Sequence, residues 1–399
     1  MAGPPPLQGL RVLEFSHMVM GPAAGLVFAD LGADVIKIEP LEGDNTRRLR
    51  GSGAGYFAMY NRNKRSLAVD FKTPQGAAIV RRLAAGADVF IENFRPGALE
   101  KYGFGYQALA GLNPRLVYCS EKGFLDGPYA HRTALDEVAQ MMGGLAYMTG
   151  PPGRPLRAGA SVIDVTAGLF GAIAILAALE QRRATGRGCQ VSSALFETTA
   201  FLVGQHMAQY RVTGTPAPPM PARISAWAIY DVFDVADGEK VFIGVVTDAQ
   251  WRSFCEAFNL ADWARDPSLA ANNDRVARRE ALLPRLQDLF AQMRKEDLLT
   301  RLDKAGLPFA PITRPEDLFA DPHLNHGQGL LELRLPGGGS AALPNLPISL
   351  EGKRLDLRQD PPEIGEHSRA IAAELGYQED EIAGLLAGRI IAAPPAQSR

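Results

Sequence analysis

A single carboxylate, Asp164, stands at the start of a long apolar segment, where it could act as a nucleophile. It lies in residues 161–168, which read SVIDVTAG and open a predicted helix lined with small residues. Helix N termini carry partial positive charge and N–H groups that lack intrahelical partners. We therefore expect the Asp164 carboxylate to stay ionised, as a nucleophile requires.

An aspartate at this position often only caps its helix, but the setting of Asp164 argues for more. Residues 160–163 before it are typical of buried chain, and small residues at 167–172 let other backbone approach closely. A second acidic residue, Asp136, ends the upstream segment HRTALD and is followed by Gly143-Gly144. For Asp136, orienting a pocket and simple helix capping are equally good interpretations.

The composition is that of an ordinary globular protein and excludes several classes. The 399 residues predict two domains, and the net charge of −2 argues against nucleic-acid binding. Basic residues cluster only at 47–50 and 62–65, which leaves a polyanionic small molecule as a partner. The three cysteines are widely spaced, no secretory signal is evident, and the longest apolar run, 169–179, is shorter than the ~20 residues of a membrane span. We expect a soluble, cytoplasmic protein without membrane contact.

Alternating strand and helix patterns dominate the first half of the chain. Predicted strands at Leu10–Phe15 and Asp34–Glu39 flank a helix, and a similar unit follows at 66–92. Such units build parallel sheets, so the predicted fold class is α/β. Beyond a proline-rich segment at 213–221, Asp237-Gly238 joins the strands of a hairpin. The predicted domains are a large Rossmann-like domain (1–210), a smaller α+β domain (222–325) and a return segment (330–399) that packs on the large domain.

Motifs for several other chemistries are missing from the sequence. The first strand is followed by SHMVMG rather than Gly-x-Gly-x-x-Gly, which argues against dinucleotide binding. There is no phosphate-binding loop and no Gly-x-Ser-x-Gly, and His323 and His326 have no third ligand close in sequence. We therefore predict neither ATP nor serine-hydrolase chemistry, no metal and no tightly bound cofactor.

Many ordered motifs give the chain a specific resemblance over residues 7–391. They include LQGLRVLEF (7–15), GADVIKIE (32–39), NKRSL (63–67), DFKTP (70–74), ENFRPG (92–97) and GEHS (365–368). In these motifs the chain resembles the family III CoA-transferases, the formyl-CoA transferase and carnitine CoA-transferase group. The resemblance implies two ring-like chains interlocked as a homodimer, an acyl-CoA and a small carboxylic acid as substrates, and Asp164 as the catalytic aspartate.

The resemblance also implies a binding site for CoA. Lysine and arginine can pair with the phosphates of CoA, and extended backbone can bind its pantetheine arm. The implied CoA-binding residues are Val19, Met20, Val69, Asp70, Phe71, Lys72, Asn93, Phe94, Arg95, Lys101, Thr133, Ala134, Leu135 and Asp136. The run of four glycines that closes over the active site of formyl-CoA enzymes has no counterpart near 223–227, which argues against formyl and oxalate specificity.

The implied reaction is CoA transfer through an aspartyl mixed anhydride and an aspartyl-CoA thioester. The same fold hosts α-methylacyl-CoA racemases, which carry an acid/base histidine where this chain has Leu135, and leucine cannot move protons. We therefore predict a CoA-transferase, with a racemase-type isomerase and a non-catalytic CoA-binding protein as alternatives.

The substrates predicted for this transfer are succinyl-CoA as donor and a dicarboxylic acid as acceptor. Arg132 or Arg65 would pair with the second carboxylate of such an acid. Backbone N–H groups of Gly143-Gly144 or of the helix mouth at Asp164 would hold the oxyanion.

Overall fold

The computed structural model describes residues 4–223 and 225–395. Residue 224 and the ends of the predicted domains, 1–3 and 396–399, lie outside the described residues. The chain forms two compact units. The larger unit combines the chain up to Pro221 with the chain from Pro322 onward, and the smaller unit is Ala222–Asp321.

A sheet of seven strands forms the centre of the larger unit within the described residues. Numbered by chain position, its strands are β1 (Arg11–Phe15), β2 (Asp34–Glu39), β3 (Lys64–Val69), β4 (Val89–Glu92), β5 (Val117–Lys122), β6 (Gln190–Ala194) and β12 (Ile391–Ala392). The spatial order is β12-β3-β2-β1-β4-β5-β6, and each neighbouring pair is parallel except β12 with β3. The order 3-2-1-4-5-6 is typical of doubly wound folds, which confirms the predicted α/β class.

Helices cover both faces of this sheet. In the larger unit they are α1 (Met20–Asp30), α2 (Tyr56–Tyr60), α3 (Pro74–Ala85), α4 (Tyr106–Leu112), α5 (Asp136–Met142), α6 (Leu145–Thr149), α7 (Val162–Thr185), α8 (Leu195–Thr213), α14 (Pro322–Asn325), α15 (Ser368–Glu374) and α16 (Glu379–Ala387). Because side chains alternate along a strand, Leu13 and Phe90 pack with α3, α15 and α16. Val12, Val35 and Val117 pack with α1 and α7 on the opposite face.

Helix α7 begins at the cavity described below and continues for 24 residues. Although its uninterrupted apolar run is short, the whole helix is long and apolar enough to cross a membrane by length and composition. It packs on α1, β5 and β6, as a core helix does. Its outer side leaves Leu169, Ile173 and Leu176 exposed.

The end of the chain returns to this sheet. The glycine-rich turn at 337–339 joins β10 (Leu330–Arg334) to β11 (Ser340–Pro344) in an antiparallel hairpin. Further on, β12 pairs antiparallel with β3, with Ile391 opposite Val69. The sequence analysis predicted neither β12 nor β6.

The smaller unit has its own antiparallel sheet and its own core. The strands are β7 (Ile229–Asp234), β8 (Lys240–Val245) and β9 (Phe309–Pro311), and the helices are α9 (Asp248–Ala257), α10 (Ala261–Arg265), α11 (Asn272–Ala277), α12 (Arg279–Phe290) and α13 (Lys295–Lys304). The predicted hairpin is present, with Gly238 at φ 75° in its turn. Trp251, Phe254 and Phe290 are buried in the core between sheet and helices.

Candidate active site

Two neighbouring cavities open at the carboxyl ends of the parallel strands, where ligands bind in such sheets. The first, here called the Asp164 cavity, has a volume of about 260 Å³. The second, called the Asp70 cavity, has a volume of about 510 Å³. His17, Met18 and Phe94 border both cavities, so the two lie side by side.

The start of α7, which carries Asp164, is held by the carboxylate of Asp136. The backbone N–H groups of Ile163 and Asp164 donate to Asp136 Oδ2 at 2.9 and 3.1 Å. These groups belong to the first turn of α7 and have no partner within the helix. Asp136 is itself the first residue of α5 and is 6% exposed. Asp136 therefore caps α7 and also borders the cavity. Helix capping and pocket orientation, the two roles left open by the sequence, are thus combined in one side chain.

The backbone N–H groups expected to hold an oxyanion are either already hydrogen-bonded or remote from the two cavities. The N–H groups of Ile163 and Asp164 at the helix mouth are occupied by Asp136. Gly143 and Gly144 border neither of the two cavities, and the Gly143 N–H donates to the Ala139 carbonyl. Both predictions for the oxyanion donors are therefore unsupported by the geometry.

A hydrogen-bond network fixes the other oxygen of the Asp136 carboxylate. Gln140 Nε2 donates to Asp136 Oδ1 at 2.5 Å, and Arg157 Nη2 donates to the same atom at 3.3 Å. The Ala158 N–H donates in turn to Gln140 Oε1 at 2.8 Å. Because these bonds join α5, the 157–158 segment and α7, the position of Asp164 depends on all three.

The pKa of the Asp164 carboxyl group is raised to about 7, chiefly because burial disfavours its charged form. The negative charge of Asp136 raises this pKa further, and the positive charge of Arg157 lowers it. The expected stabilisation of the Asp164 charge by the helix mouth is therefore outweighed, and the pKa shifts upward. The N–H groups that would stabilise its charge are used by Asp136, which adds a second negative charge instead.

Two tyrosines of α2 face the start of α7. Tyr56 Oη lies 3.3 Å from the hydroxyl of Ser161, the residue just before α7. The pKa of Tyr60 is raised by burial, and the charges of Asp164 and Tyr56 raise it further. Tyr56 therefore borders the Asp164 cavity, and Tyr60 lies close enough to Asp164 for its charge to raise the Tyr60 pKa.

The structure brings most of the predicted CoA-binding residues to the two cavities. The Asp164 cavity is bordered by Met20, Asn93, Phe94, Arg95, Thr133, Ala134, Leu135 and Asp136. The Asp70 cavity is bordered by Val69, Asp70, Phe71, Lys72 and Phe94. Val19, which is buried at the start of α1, and Lys101, which lies over the Tyr102 ring, border neither cavity.

Individual side chains at the cavities have distinct tasks. Asn93 accepts a hydrogen bond from the His17 N–H at 3.0 Å and donates to the His17 carbonyl at 2.7 Å, so it joins two loops. Lys72 and Arg95 are exposed, and in the described part of the chain neither forms an ion pair. These two cations are available to pair with phosphate.

The two arginines suggested for a second carboxylate lie in different places. Arg65 pairs with Asp34 at 2.8 Å and with Glu374 at 2.5 Å, and it borders neither cavity. Arg132 borders the Asp164 cavity, with its guanidinium 5.2 Å from the centre of the Tyr129 ring. Arg132 is therefore placed to attract an anionic substrate, and Arg65 is not.

Several residues that form this site were not predicted from the sequence, namely Tyr56, Gln140, Arg157, His17 and Glu121. Most belong to no motif, because their roles arise from segments that are distant along the chain. Glu121 follows the predicted strand at 116–119 within the polar triplet Ser-Glu-Lys, so nothing in the sequence indicated that it is buried.

Comparison with known proteins gives the relationship of the chain as a whole. The profile of CoA-transferase family III matches residues 7–368. A succinate–glutarate CoA-transferase of Agrobacterium fabrum is 35% identical over 384 residues, covering 93% of this chain and 96% of that protein. A succinyl-CoA:glutarate CoA-transferase of Mus musculus is 34% identical over 394 residues, covering 97% of this chain and 90% of that protein.

A solved structure agrees with these sequence matches. A CAIB/BAIF family protein from Brucella suis superimposes with a TM-score of 0.82 at 38% identity, covering 94% of this chain and 100% of that chain. The resemblance inferred from the motifs and the predicted enzyme class are thus confirmed. The chain belongs to CoA-transferase family III.

Proposed function

We propose that this chain transfers CoA from succinyl-CoA to a dicarboxylic acid, with Asp164 as the nucleophile. One observation carries the proposal. The Asp164 carboxyl group borders a cavity at the carboxyl ends of the strands, and within the described residues it accepts no hydrogen bond. Its oxygens are therefore free to attack a bound thioester.

The first half of the proposed reaction moves CoA onto the enzyme. An Asp164 carboxylate oxygen bonds to the thioester carbonyl carbon, the C–S bond breaks, and the CoA thiolate leaves behind a mixed anhydride. The thiolate then bonds to the Asp164 carbonyl carbon, the anhydride C–O bond breaks, and the donor leaves as a free carboxylate. The enzyme now holds an Asp164–CoA thioester.

The second half repeats these steps in reverse with the acceptor acid. An acceptor carboxylate attacks the Asp164–CoA thioester and releases the thiolate, which then attacks the acceptor carbonyl. The product acyl-CoA leaves and the Asp164 carboxylate is restored. No proton or redox equivalent is consumed, and the thioester energy is retained throughout.

The surroundings of Asp164 support this cycle in two ways. Asp136 fixes the first turn of α7 and so orients the nucleophile without occupying its carboxylate. A pKa of about 7 leaves Asp164 partly ionised at neutral pH and more nucleophilic than an ordinary carboxylate.

The substrates follow from the relatives and from the charges at the site. Two relatives are named as CoA-transferases acting on succinate or succinyl-CoA and glutarate. Arg132 at the cavity would attract a substrate with a second carboxylate. CoA would occupy the Asp70 cavity and reach Asp164 past Phe94, with Lys72 and Arg95 pairing with its phosphates. The other predicted CoA-binding residues would contribute apolar and backbone contacts.

We further propose that the enzyme is an interlocked homodimer, in which each chain has a large Rossmann-like domain and a small α+β domain. Helices α7 and α8 expose large apolar side chains, among them Ile173, Phe201 and Val212. Such a surface marks a protein interface, and a second copy is the partner that the family implies. The wild-type enzyme should sediment as a dimer whose sedimentation coefficient does not fall on dilution, because interlocked chains cannot separate without unfolding, and a monomer-sized coefficient would contradict the proposal. A cytoplasmic location is consistent with the three free cysteines.

Trapping with hydroxylamine tests the nucleophile. The wild-type enzyme, mixed with succinyl-CoA and hydroxylamine, should gain a hydroxamate at Asp164 that peptide mass spectrometry locates. Asp164→Asn should gain no adduct and should transfer no CoA to glutarate. Glu137→Gln, which changes an exposed carboxylate beside the same cavity, serves as the control and should still be trapped.

The same samples separate transfer from the two alternatives. A racemase-type isomerase would exchange the proton beside the thioester carbonyl for deuterium from the solvent, without moving CoA to the acid. A non-catalytic binding protein would bind CoA but would exchange no isotopic label between acid and thioester. Absence of the Asp164 adduct in the active wild-type enzyme would refute the proposed mechanism.

A further inference from the structure

Glu121 is a buried carboxyl group at the carboxyl end of β5. It is 1% exposed and lies next to the last residue of the strand, on the face that packs against α1 and α7. It also borders the Asp164 cavity. Glu121 has no role in the CoA-transfer cycle proposed for Asp164.

The carboxyl group of Glu121 has no partner in the described part of the chain. Both of its oxygens are buried and neither makes a hydrogen bond. Glu14, on the same face at the end of β1, instead pairs with Lys37 at 3.3 Å and Lys64 at 2.5 Å. Lys122, the neighbour of Glu121, turns to Glu92 at 2.6 Å. Buried polar groups are almost always hydrogen-bonded, so a carboxyl group that borders a cavity and has both oxygens unpartnered points to a ligand.

Two glycines leave the space that this carboxyl group occupies. A Cβ atom at Gly171 of α7 would lie 2.5 Å from Glu121 Oε1, and one at Gly21 of α1 would lie 3.1 Å from Oε2. Any larger residue at these two positions would crowd the carboxyl group. The backbone around the cavity is thus adapted to Glu121.

Glu121, on β5, lies beside Gly171 of α7, and this position sets its distance from Asp164. Gly171 follows Asp164 by seven residues, so both lie on one side of the helix, two turns or about 10 Å apart. Met20, whose carbonyl lies against Gly168 between them, borders the same cavity. The Asp164 side chain and one O–H···O hydrogen bond each cover about 3 Å of this distance, so an attached acyl chain of four or five carbons, about 4–5 Å long when extended, can bring its far end to Glu121.

The protonation of Glu121 suits it to donate a hydrogen bond. Burial raises its pKa well above the ordinary range, and the charges of Glu14, Glu92 and Asp164 raise it further, whereas Lys122 lowers it. A protonated carboxyl group is a hydrogen-bond donor. The negative neighbours are balanced, since Glu14 and Glu92 contact lysines and Asp164 loses its charge when it is acylated.

We propose that Glu121 is the floor of the acyl site and donates a hydrogen bond to the far carboxylate of a four- or five-carbon dicarboxylic acyl group. Glu121 thereby selects dicarboxylic over simple acyl chains. Hydrogen bonds of this O–H···O⁻ type are among the strongest in proteins. The inference rests on the proposed function and names the group that recognises its substrate. Arg132, which is exposed, attracts the anionic substrate but does not select dicarboxylic over simple acyl groups.

Selectivity between two acyl-CoAs of equal length tests this role. In wild type, kcat/KM for succinyl-CoA should exceed that for butyryl-CoA, which lacks the far carboxylate. Glu121→Leu should lower this preference by about 10-fold to 100-fold, while Glu121→Gln, which keeps a donor of the same shape, should retain most of it. Arg132→Gln should slow both substrates or increase the salt dependence without removing the preference.

Three results distinguish the ways in which the inference can fail. If Glu121→Leu slows both substrates equally, the residue is structural and the inference is overturned. If Arg132→Gln alone abolishes the preference, the second carboxylate binds at Arg132. If the wild-type enzyme forms no hydroxylamine adduct at Asp164, the proposed function fails instead.

Infrared spectroscopy tests the contact even without turnover. The measurement uses the Asp164→Asn background, because Asp164 is itself partly protonated at neutral pH. In that background the carbonyl stretch of a protonated carboxyl group should be present, and it should be lost when Glu121→Gln is added. It should shift when glutarate and CoA are added, but not when butyrate and CoA are added. A band that is insensitive to glutarate would overturn the inference whatever the state of the proposed mechanism.

Discussion

Replacing the nucleophile should make the protein more stable, by an amount that depends on pH. The pKa of Asp164 is raised to about 7 in the folded protein, whereas an aspartate in an unfolded chain titrates near 3.9. Folding therefore disfavours the ionised form of this side chain. The folded state of the wild type loses stability as pH rises from about 4 to about 7, and above that range the full cost is present.

The size of this effect follows from the difference between the two pKa values. A difference of about three pKa units corresponds to ~4 kcal/mol, since each unit is worth 1.36 kcal/mol. Asp164→Asn keeps the shape of the side chain and cannot ionise, so it should remove this cost. We expect the variant to be more stable than wild type by ~2–4 kcal/mol at pH 8 and to have nearly the same stability at pH 4.

Calorimetry at a series of pH values measures the predicted difference. The unfolding transition of the larger unit should rise by several degrees in Asp164→Asn at pH 8, and the gain should disappear at pH 4. Glu137→Gln is the matched control, because its carboxylate lies beside the same cavity but is 59% exposed, and it should show no such gain. A gain of equal size at both pH values would refute the reasoning, because the effect would then not arise from ionisation.

Three further perturbations test the network around the nucleophile and the packing of α7. Arg157→Gln removes the charge that lowers the pKa of Asp164, so the acid limb of kcat/KM against pH should move to higher pH. Asp136→Asn removes a charge that raises this pKa, so the limb should move to lower pH, and shifts in the same direction for both variants would contradict this account. Gly168→Ala places a Cβ atom 2.4 Å from the Met20 carbonyl oxygen and should lower the free energy of unfolding by ~1–3 kcal/mol. In contrast, Gly204→Ala in α8, where nothing lies within 4 Å, should be neutral or stabilising in the same urea titration.

Local sequence patterns predicted much of the fold, because strand and helix periodicities report burial directly. The βαβ pattern that begins at Leu10–Phe15 gave the parallel sheet, and Asp237-Gly238 gave the hairpin of the smaller unit. In contrast, β12 has two residues, and its strand character depends on pairing with β3 more than 300 residues earlier. No local window of sequence contains that partner.

In the candidate site, too, features set by neighbouring residues were predicted and features set by distant residues were not. Asp164 was found because its helix start and small neighbours are adjacent in sequence. The effect of Asp136 on it was missed, because 27 residues separate Asp136 from Ile163 and the contact depends on how α5 meets α7. The upward direction of the Asp164 pKa shift was therefore not predicted. A pKa responds to every charge and dipole in space, including those that distant segments supply.

The antiparallel pairing of β12 with β3 has a consequence for synthesis of the chain. Translation produces β3 within the first 70 residues, but its outer edge gains partners only when residues 367–392 emerge, because Ser66 bonds to His367, the Ala68 N–H donates to Ser368, and Val69 pairs with Ile391. During that interval the nascent polypeptide carries an open sheet edge, which can pair with other chains. The edge strand contains Lys64 and Arg65, and charged residues of this kind discourage such pairing. Ribosome-bound intermediates truncated before position 367 should accordingly be more prone to aggregate than the completed polypeptide.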